Sequence, residues 1–306
     1  MTCRRRASPG NAGQPLPDPD SIELVLYDLD GTLYENTDQY EYYAACLASR
    51  LEGDARSRFR EEYSDAQQGR HLLKYGLTFD VLRRLILRTG QSYPAQVLEA
   101  WTWDGRPVDS RSVYGETLVA HDLDRFITAS DPWWVPHILA HYHGLSISEC
   151  EKAFLEARKM MMEPAYSYRA AQGVPAGLRE CALRYYQVLA TNAPRAEAEH
   201  ILQATETTGC FDLQMFDAGK PRKMQDLIRR ISSEFRVPLK RILSVGDNPF
   251  NEIYPALALN CKTVLVDPAA CYREEPQAGL RVESLRIVLE HLAVKEPFRV
   301  PKELLE

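Results

Sequence analysis

Long apolar runs are missing from this sequence. No stretch approaches the ~20 residues that a bilayer-spanning helix needs, so no membrane segment and no membrane partner are expected. Positive charge is also in short supply, with 37 Lys and Arg against 43 Asp and Glu and a net charge of −6. No basic face emerges from the pattern, which argues against a nucleic-acid partner. Any phosphate-bearing ligand would have to be met by local cations. The seven cysteines are odd in number, scattered and never spaced Cys-x-x-Cys, which speaks against a disulfide framework or a zinc site. Reduced thiols and a cytoplasmic location are expected. The start of the chain has Arg4, Arg5 and Arg6 but no apolar segment of the kind a secretion signal carries, and residues 1–20 read as a disordered tail. What remains is ordinary globular material: 306 residues, 45% hydrophobic and 26% charged, enough for a large core or two domains.

Ile22 to Tyr34 reads Ile-Glu-Leu-Val-Leu-Tyr-Asp-Leu-Asp-Gly-Thr-Leu-Tyr. An apolar run that ends in two carboxylates and a Gly-Thr pair predicts a buried parallel strand with a loop at its C-terminal edge. Ligands of open α/β sheets sit at that edge. Asp28 and Asp30, two positions apart, face the same way. A core has no use for such a pair.

From Asn36 to Ala171 the pattern turns helical, with no strand run comparable to the first. Thr37 to Leu51 carries Tyr40, Tyr43, Ala44 and Leu47 at helical spacing, and Phe79 to Leu87 repeats it with Val81, Leu82, Leu85 and Ile86. Ser148 with Glu151 predicts a capping box for a helix that runs to Met162 and stops at Pro164. Residues 36–171 therefore read as an inserted all-α domain that holds Trp101, Trp103, Trp133 and Trp134. Its aromatics are expected mainly in its core. His137, His141 and His143 lack the acidic companion of a His-Glu-x-x-His motif, and no metal role is assigned to them.

After Gly173 strands and helices alternate again. Strands over 187–190, 211–216, 241–245 and 263–266 are predicted, with helices over 175–186, 194–204, 223–235 and 282–292. This alternation predicts a Rossmann-like, doubly wound parallel sheet covered on both faces, built from residues 21–35 and 172–306. Four strands lead into polar groups suited to phosphate: Asp28 with Asp30, Thr191 with Asn192, Lys220, and Asp247 with Asn248 and Glu252. Each signal alone is weak. Four in order are not.

Asp-Leu-Asp-Gly-Thr-Leu at 28–33, followed by these three groups, resembles the haloacid dehalogenase-like (HAD) superfamily, most of whose members are phosphatases that work through an aspartyl-phosphate. The resemblance covers the sheet domain and, by position alone, a helical cap after the first motif. It implies that Asp28 is the nucleophile and Asp30 the general acid and base, with an expected raised pKa. It implies that Thr191, Asn192 and Lys220 bind the phosphoryl group. Asp28, Asp247 and the main-chain carbonyl of Asp30 would hold Mg²⁺, with Glu252, where many relatives have Asp, and Asn248 acting through water or as alternative ligands. Asp30 separates this chain from relatives with Thr there, the transport ATPases, and from dehalogenases that lack the second Asp and the metal. A small phosphorylated metabolite is the expected partner. Sugar phosphates, phosphoglycolate-like acids and nucleoside monophosphates all stay open, the last through a faint likeness of Tyr34 and Tyr75-Gly76-Leu77 to a nucleotidase branch. A phosphomutase and a weakly catalytic binding or regulatory protein are the alternatives, and the oligomeric state is not legible.

Overall fold

In the computed structural model, which describes residues 15–268 and 280–293, strand β1 (Leu24–Tyr27) is buried at every position. Its residues serve opposite faces in alternation. Val25 and Tyr27 join one hydrophobic cluster, Leu24 and Leu26 another, as the period of a strand requires. The chain then passes through helices α1 (Asp38–Arg50) and α2 (Gly53–Gln67), strands β2 (Leu77–Asp80), β3 (Leu85–Thr89), β4 (Ala95–Thr102) and β5 (Pro107–Val108), and the short helix α3 (Ser110–Tyr114). Strands β6 (Leu118–Val119) and β7 (Phe126–Thr128) lead to helices α4 (Trp134–Tyr142) and α5 (Ile147–Met161). The second half alternates α6 (Val174–Cys181), β8 (Tyr186–Ala190), α7 (Arg195–Ala204), β9 (Leu213–Met215), α8 (Met224–Glu234), β10 (Ile242–Gly246), α9 (Tyr254–Leu257), β11 (Lys262–Val266), β12 (Leu280–Val282) and α10 (Leu285–Ala293).

The parallel sheet has the order β12-β11-β10-β1-β8-β9, with Leu24 paired to Ile242 on one side and to Tyr186 on the other. Helices α6, α7 and α10 cover one face through Leu178, Ile201 and Leu289. Helices α8 and α9 cover the other through Ile228, Ile231 and Ala256. The expected doubly wound core is therefore present. The chain leaves β1 for β8 on one side and returns to β10 on the other, which opens a crevice at the carboxyl end of β1. Truncating Leu26, buried to 1% exposure, would cost about 2–5 kcal/mol.

The insert is not all-helical. It carries an antiparallel sheet, β5-β4-β3-β2-β7 with β6 beside β4, packed against α1, α4 and α5. Phe79 to Leu87 shows why spacing misled. Val81, Leu82, Leu85 and Ile86 mimic one helical face, yet Leu82 is 69% exposed and the segment is a hairpin with Phe79 opposite Ile86. Arg84 turns the chain at φ 56°, and the buried Asp80 carboxylate accepts from Arg83 N–H and Tyr114 hydroxyl. Tertiary packing outweighs spacing in so short a run.

Smaller corrections follow the same logic. The capping box of α5 is Ser146 with Glu149, two residues before the expected pair, since both serines have a glutamate three positions on. Helix α2 went unseen because Phe59 is its one buried side chain. Strand β12 precedes the last helix, whose start lies at Leu285 rather than Val282. Of the expected tail, residues 1–14 lie outside the described residues; Leu16 packs against the core and Pro19 is buried.

Candidate active site

Asp28 continues the ladder of β1, its N–H donating to Val245 carbonyl at 3.0 Å. The chain then turns through Gly31 at φ 76°, where any Cβ would meet Asp247 Oδ2 at 2.2 Å. Only glycine lets the loop after β1 lie against Asp247. Gly246, the last residue of β10, is under a similar constraint, its absent side chain leaving room for Glu252 Cγ, which would stand 2.4 Å from a Cβ.

Lys220 ties the ends of three strands together. Its Nζ donates to Asp28 Oδ1 and Glu252 Oε1 at 2.6 Å each and to Ala190 carbonyl at 2.8 Å, so all three ammonium donors are spent. Asn192 holds this lysine rather than a ligand: its side chain donates to Lys220 carbonyl at 3.0 Å and accepts from Lys220 N–H at 2.8 Å. The Thr191 hydroxyl accepts from Ala193 N–H and lines the cavity above the site. Asn248 is likewise occupied. Its Oδ1 caps the π-helical turn Pro249–Ile253 by accepting from Phe250 and Asn251 N–H, and its Nδ2 donates to Asp131.

Carboxylate oxygens of Asp28, Asp247 and Glu252 lie within 4.8 Å of one another. Burial raises the pKa of all three: Glu252 reaches about 8 against the pull of Lys220, and Asp247 rises well above the carboxylate range with Asp28 and Glu252 adding to burial. One ammonium cannot balance three ionised carboxylates in so enclosed a place, so in the absence of a cation the cluster is driven toward holding protons. An all-oxygen cluster of this kind fits a hard divalent cation such as Mg²⁺, whose binding would displace those protons. Glu252 Oε2 also accepts from Asn248 N–H at 3.2 Å, so both of its oxygens already have donors.

Asp30 departs from expectation. Burial alone would raise its pKa, but the Arg158 guanidinium at 2.8 Å and the Tyr34 hydroxyl at 2.6 Å hold it below the ordinary carboxylate value. Arg158, on α5 of the insert, also donates from Nε to Glu197 at 2.7 Å, bridging Asp30 and α7. This residue was not singled out in the sequence, although a signal was there: Phe154, Arg158 and Met161 share one helix face, and a cation on an apolar stripe needs a partner. Asp131 was missed as well. It accepts from Trp133 N–H, which makes it look like a helix start, while burial, aided by Asp28 and Asp30, pushes its pKa to about 7.

Asp28, Asp30, Asp131, Arg158, Lys220 and Asp247 line one side of a cavity of about 440 Å³ between the sheet edge and the insert. The other side is aromatic. Among the described residues no helix is long and apolar enough to cross a membrane.

No protein-family profile matches the chain, and no curated protein matches it. Among solved structures it is similar to YfnB of Bacillus subtilis, a protein assigned to the HAD hydrolases and solved with magnesium bound. The identity is 12%, with 89% of this chain and 99% of that chain covered at a TM-score of 0.51. Similarity extends more weakly to a protein of Haemophilus somnus 129PT predicted to be a phosphoglycolate phosphatase (14% identity, 88% and 97% covered, TM-score 0.47). A 2-haloacid dehalogenase of Pseudomonas syringae pv. tomato DC3000 is comparable (14%, 89% and 98%, 0.44). The likeness to YfnB defines a class of architecture, a parallel core with an inserted cap. The fold is that of the HAD-like hydrolases.

Proposed function

We propose that this chain is a Mg²⁺-dependent phosphatase acting on a small phosphorylated metabolite through a phosphoryl group carried on Asp28. The buried cluster of Asp28, Asp247 and Glu252 around Lys220, at the crevice of a HAD-like fold, is the observation that carries this reading. Lys220 holds Asp28 Oδ1, while Oδ2 keeps a long 3.4 Å contact from the Thr32 hydroxyl. Oδ2 attacks phosphorus, the bond from phosphorus to the ester oxygen breaks, and that oxygen takes a proton from Asp30. Water then attacks the phosphorus, Asp30 takes its proton, and phosphate leaves with the Asp28 carboxylate restored.

Thr191 keeps its hydroxyl proton for a phosphoryl oxygen, and main-chain N–H groups near Leu29 and Asn192 add donors. Lys220 remains the fixed positive charge beside the nucleophile. Bound Mg²⁺, held by Asp28, Asp247 and the Asp30 main-chain carbonyl with Glu252 assisting through water, would offset a repulsion of ~4 kcal/mol per unit charge pair at 4 Å and an effective dielectric near 20. Asp30 is an ion-paired carboxylate in the structure. The arriving phosphoryl dianion competes for Arg158, and that competition returns the Asp30 carboxyl toward protonation.

The same ion pair supports a second reading, a ligand-binding or regulatory protein of little turnover in which Arg158 keeps Asp30 from acting. Phosphate release from a panel of phosphorylated metabolites, with and without Mg²⁺ and with Asp28→Asn as the blank, separates them. Metal-dependent release that is absent in the blank is expected. No release from any compound would leave the binding protein, and release that depends on added bisphosphate primer would indicate a phosphomutase.

A further inference from the structure

The turn that carries Glu252 is not held by the sheet domain alone. Pro249–Ile253 form a single π-helical turn after β10, and the shape of that irregular piece of backbone decides where the Glu252 carboxylate stands. From the core side, the Ser244 hydroxyl donates to Glu252 carbonyl at 3.0 Å. Asn248, 2% exposed, organises the start of the turn. Its Oδ1 accepts from Phe250 and Asn251 N–H at 3.0 and 3.2 Å, and its own main-chain N–H donates to Glu252 Oε2 at 3.2 Å. Its Nδ2 reaches out of the sheet domain and donates to Asp131 Oδ2 at 3.1 Å.

Asp131 belongs to the insert, 117 positions away in the chain. Its other oxygen accepts from Trp133 N–H at 3.0 Å, just ahead of α4. One carboxylate therefore joins the beginning of α4 to the residue that shapes the Glu252 turn. The lysine and arginine that line the cavity, Lys220 and Arg158, are each paired with two other carboxylates, so Asp131 serves as an acceptor and not as half of an ion pair. The position calls for an acid, because an amide would accept at one oxygen and turn a donor toward a donor. A second, apolar contact from the insert reaches the same turn: Tyr75, between α2 and β2, packs against the cluster of Phe250, Ile253, Tyr254 and Leu265.

We propose that Asp131 is a positioning residue for the metal site: through Asn248 it holds the turn that places Glu252, so that docking of the insert and binding of a divalent cation at the sheet edge favour each other. The proposal rests on the Mg²⁺ site of the reading above and not on its phosphoryl chemistry. Such coupling is reciprocal, and a cation held more tightly because of the insert must hold the insert more tightly by the same free energy.

The test is Mg²⁺ binding to the full-length protein by titration calorimetry, with amide hydrogen exchange along the first turn of α4 measured with and without Mg²⁺. Asp131→Asn is nearly isosteric and keeps an acceptor for Trp133 N–H, but sets its amide donor against Asn248 Nδ2. Mg²⁺ affinity should fall about tenfold. Because that variant also loses a negative charge, the deciding protein is Asp131→Asn/Asn248→Asp, which keeps the net charge and the cap of the turn and reverses the direction of the hydrogen bond. Affinity within about threefold of wild type is expected there. An effect equal to the sum of the two single variants, or wild-type affinity in Asp131→Asn, would overturn the proposal. In wild type, Mg²⁺ should slow exchange along the start of α4, and the absence of that effect would overturn it whatever the variants do. Coupling in a protein that releases no phosphate would uphold Asp131 in this role and remove the phosphatase. Phosphate release without coupling would do the reverse, and failure of the wild type to bind Mg²⁺ would remove both.

Discussion

At the sheet edge Lys220, Asn192 and Asn248 are tied into a hydrogen-bond network, whereas the insert side of the same cavity is aromatic and leaves the buried His137 Nε2 without a partner. Lys220 spends three donors on three acceptors, Asn192 both ends of its amide on Lys220, and Asn248 both ends of its own on the next turn and on Asp131. Such a network fixes its members within narrow limits, as an attack on phosphorus demands. In the proposed phosphatase, the chemistry would fall to the sheet edge.

Lys220→Ala should disturb the sheet edge most. It leaves Asp28 and Glu252 buried without their cation, so a loss of about 3–5 kcal/mol in urea melts is expected together with loss of turnover. An unchanged midpoint would show that the network does not depend on this ammonium. Arg158→Lys keeps the charge but not the fork that joins Asp30 to Glu197. About 1.5–3 kcal/mol should be lost, with faster amide hydrogen exchange along α5; unaltered exchange would mean that the bridge does not hold the insert against the core.

Gly31→Ala acts through geometry alone, because its Cβ would displace Asp247 Oδ2. Mg²⁺ affinity by titration calorimetry should fall on the order of ten- to a hundredfold, and full retention would remove Asp247 from the metal site. The smallest effect is expected on the aromatic side. Burial lowers His121 to about 4 and His137 to about 3, from 6.5, so both enter the fold neutral. The stability this confers is complete above pH 6.5 and declines as pH falls toward 4 and then 3, because the unfolded chain takes up the protons first. Between pH 7 and pH 5, His137→Asn should reduce that decline by about 1–2 kcal/mol; parallel curves for wild type and variant would contradict it.

The difference between the two sides also governs what the sequence made legible. The sheet core could be read because each strand is a local apolar run that ends in its own polar group: Leu24–Tyr27 before Asp28, Ile242–Gly246 before Asp247. The insert's sheet could not, since Leu77–Asp80 and Leu85–Thr89 are strands by virtue of pairing with each other and with β4 and β7. Sheet pairing of that kind depends on distant partners. Arg158 illustrates the same limit at the site. Its bond to Asp30 joins residues 128 positions apart, and it reverses the expected direction of the Asp30 pKa. Thr191 and Lys220 announced themselves by following strands; Asp131 and His137 acquire meaning only when the insert folds over β1.

The most direct test of the central claim is chemical trapping on Asp28. The Asp30→Asn protein, mixed with Mg²⁺ and the best substrate from the phosphate-release panel, is quenched, reduced with borohydride and digested for mass spectrometry. Conversion of Asp28 to homoserine, which only an acyl phosphate at that carboxyl permits, is the predicted result. Phosphate release by the wild type with Asp28 unmodified in every quenched sample of the variant would contradict the account.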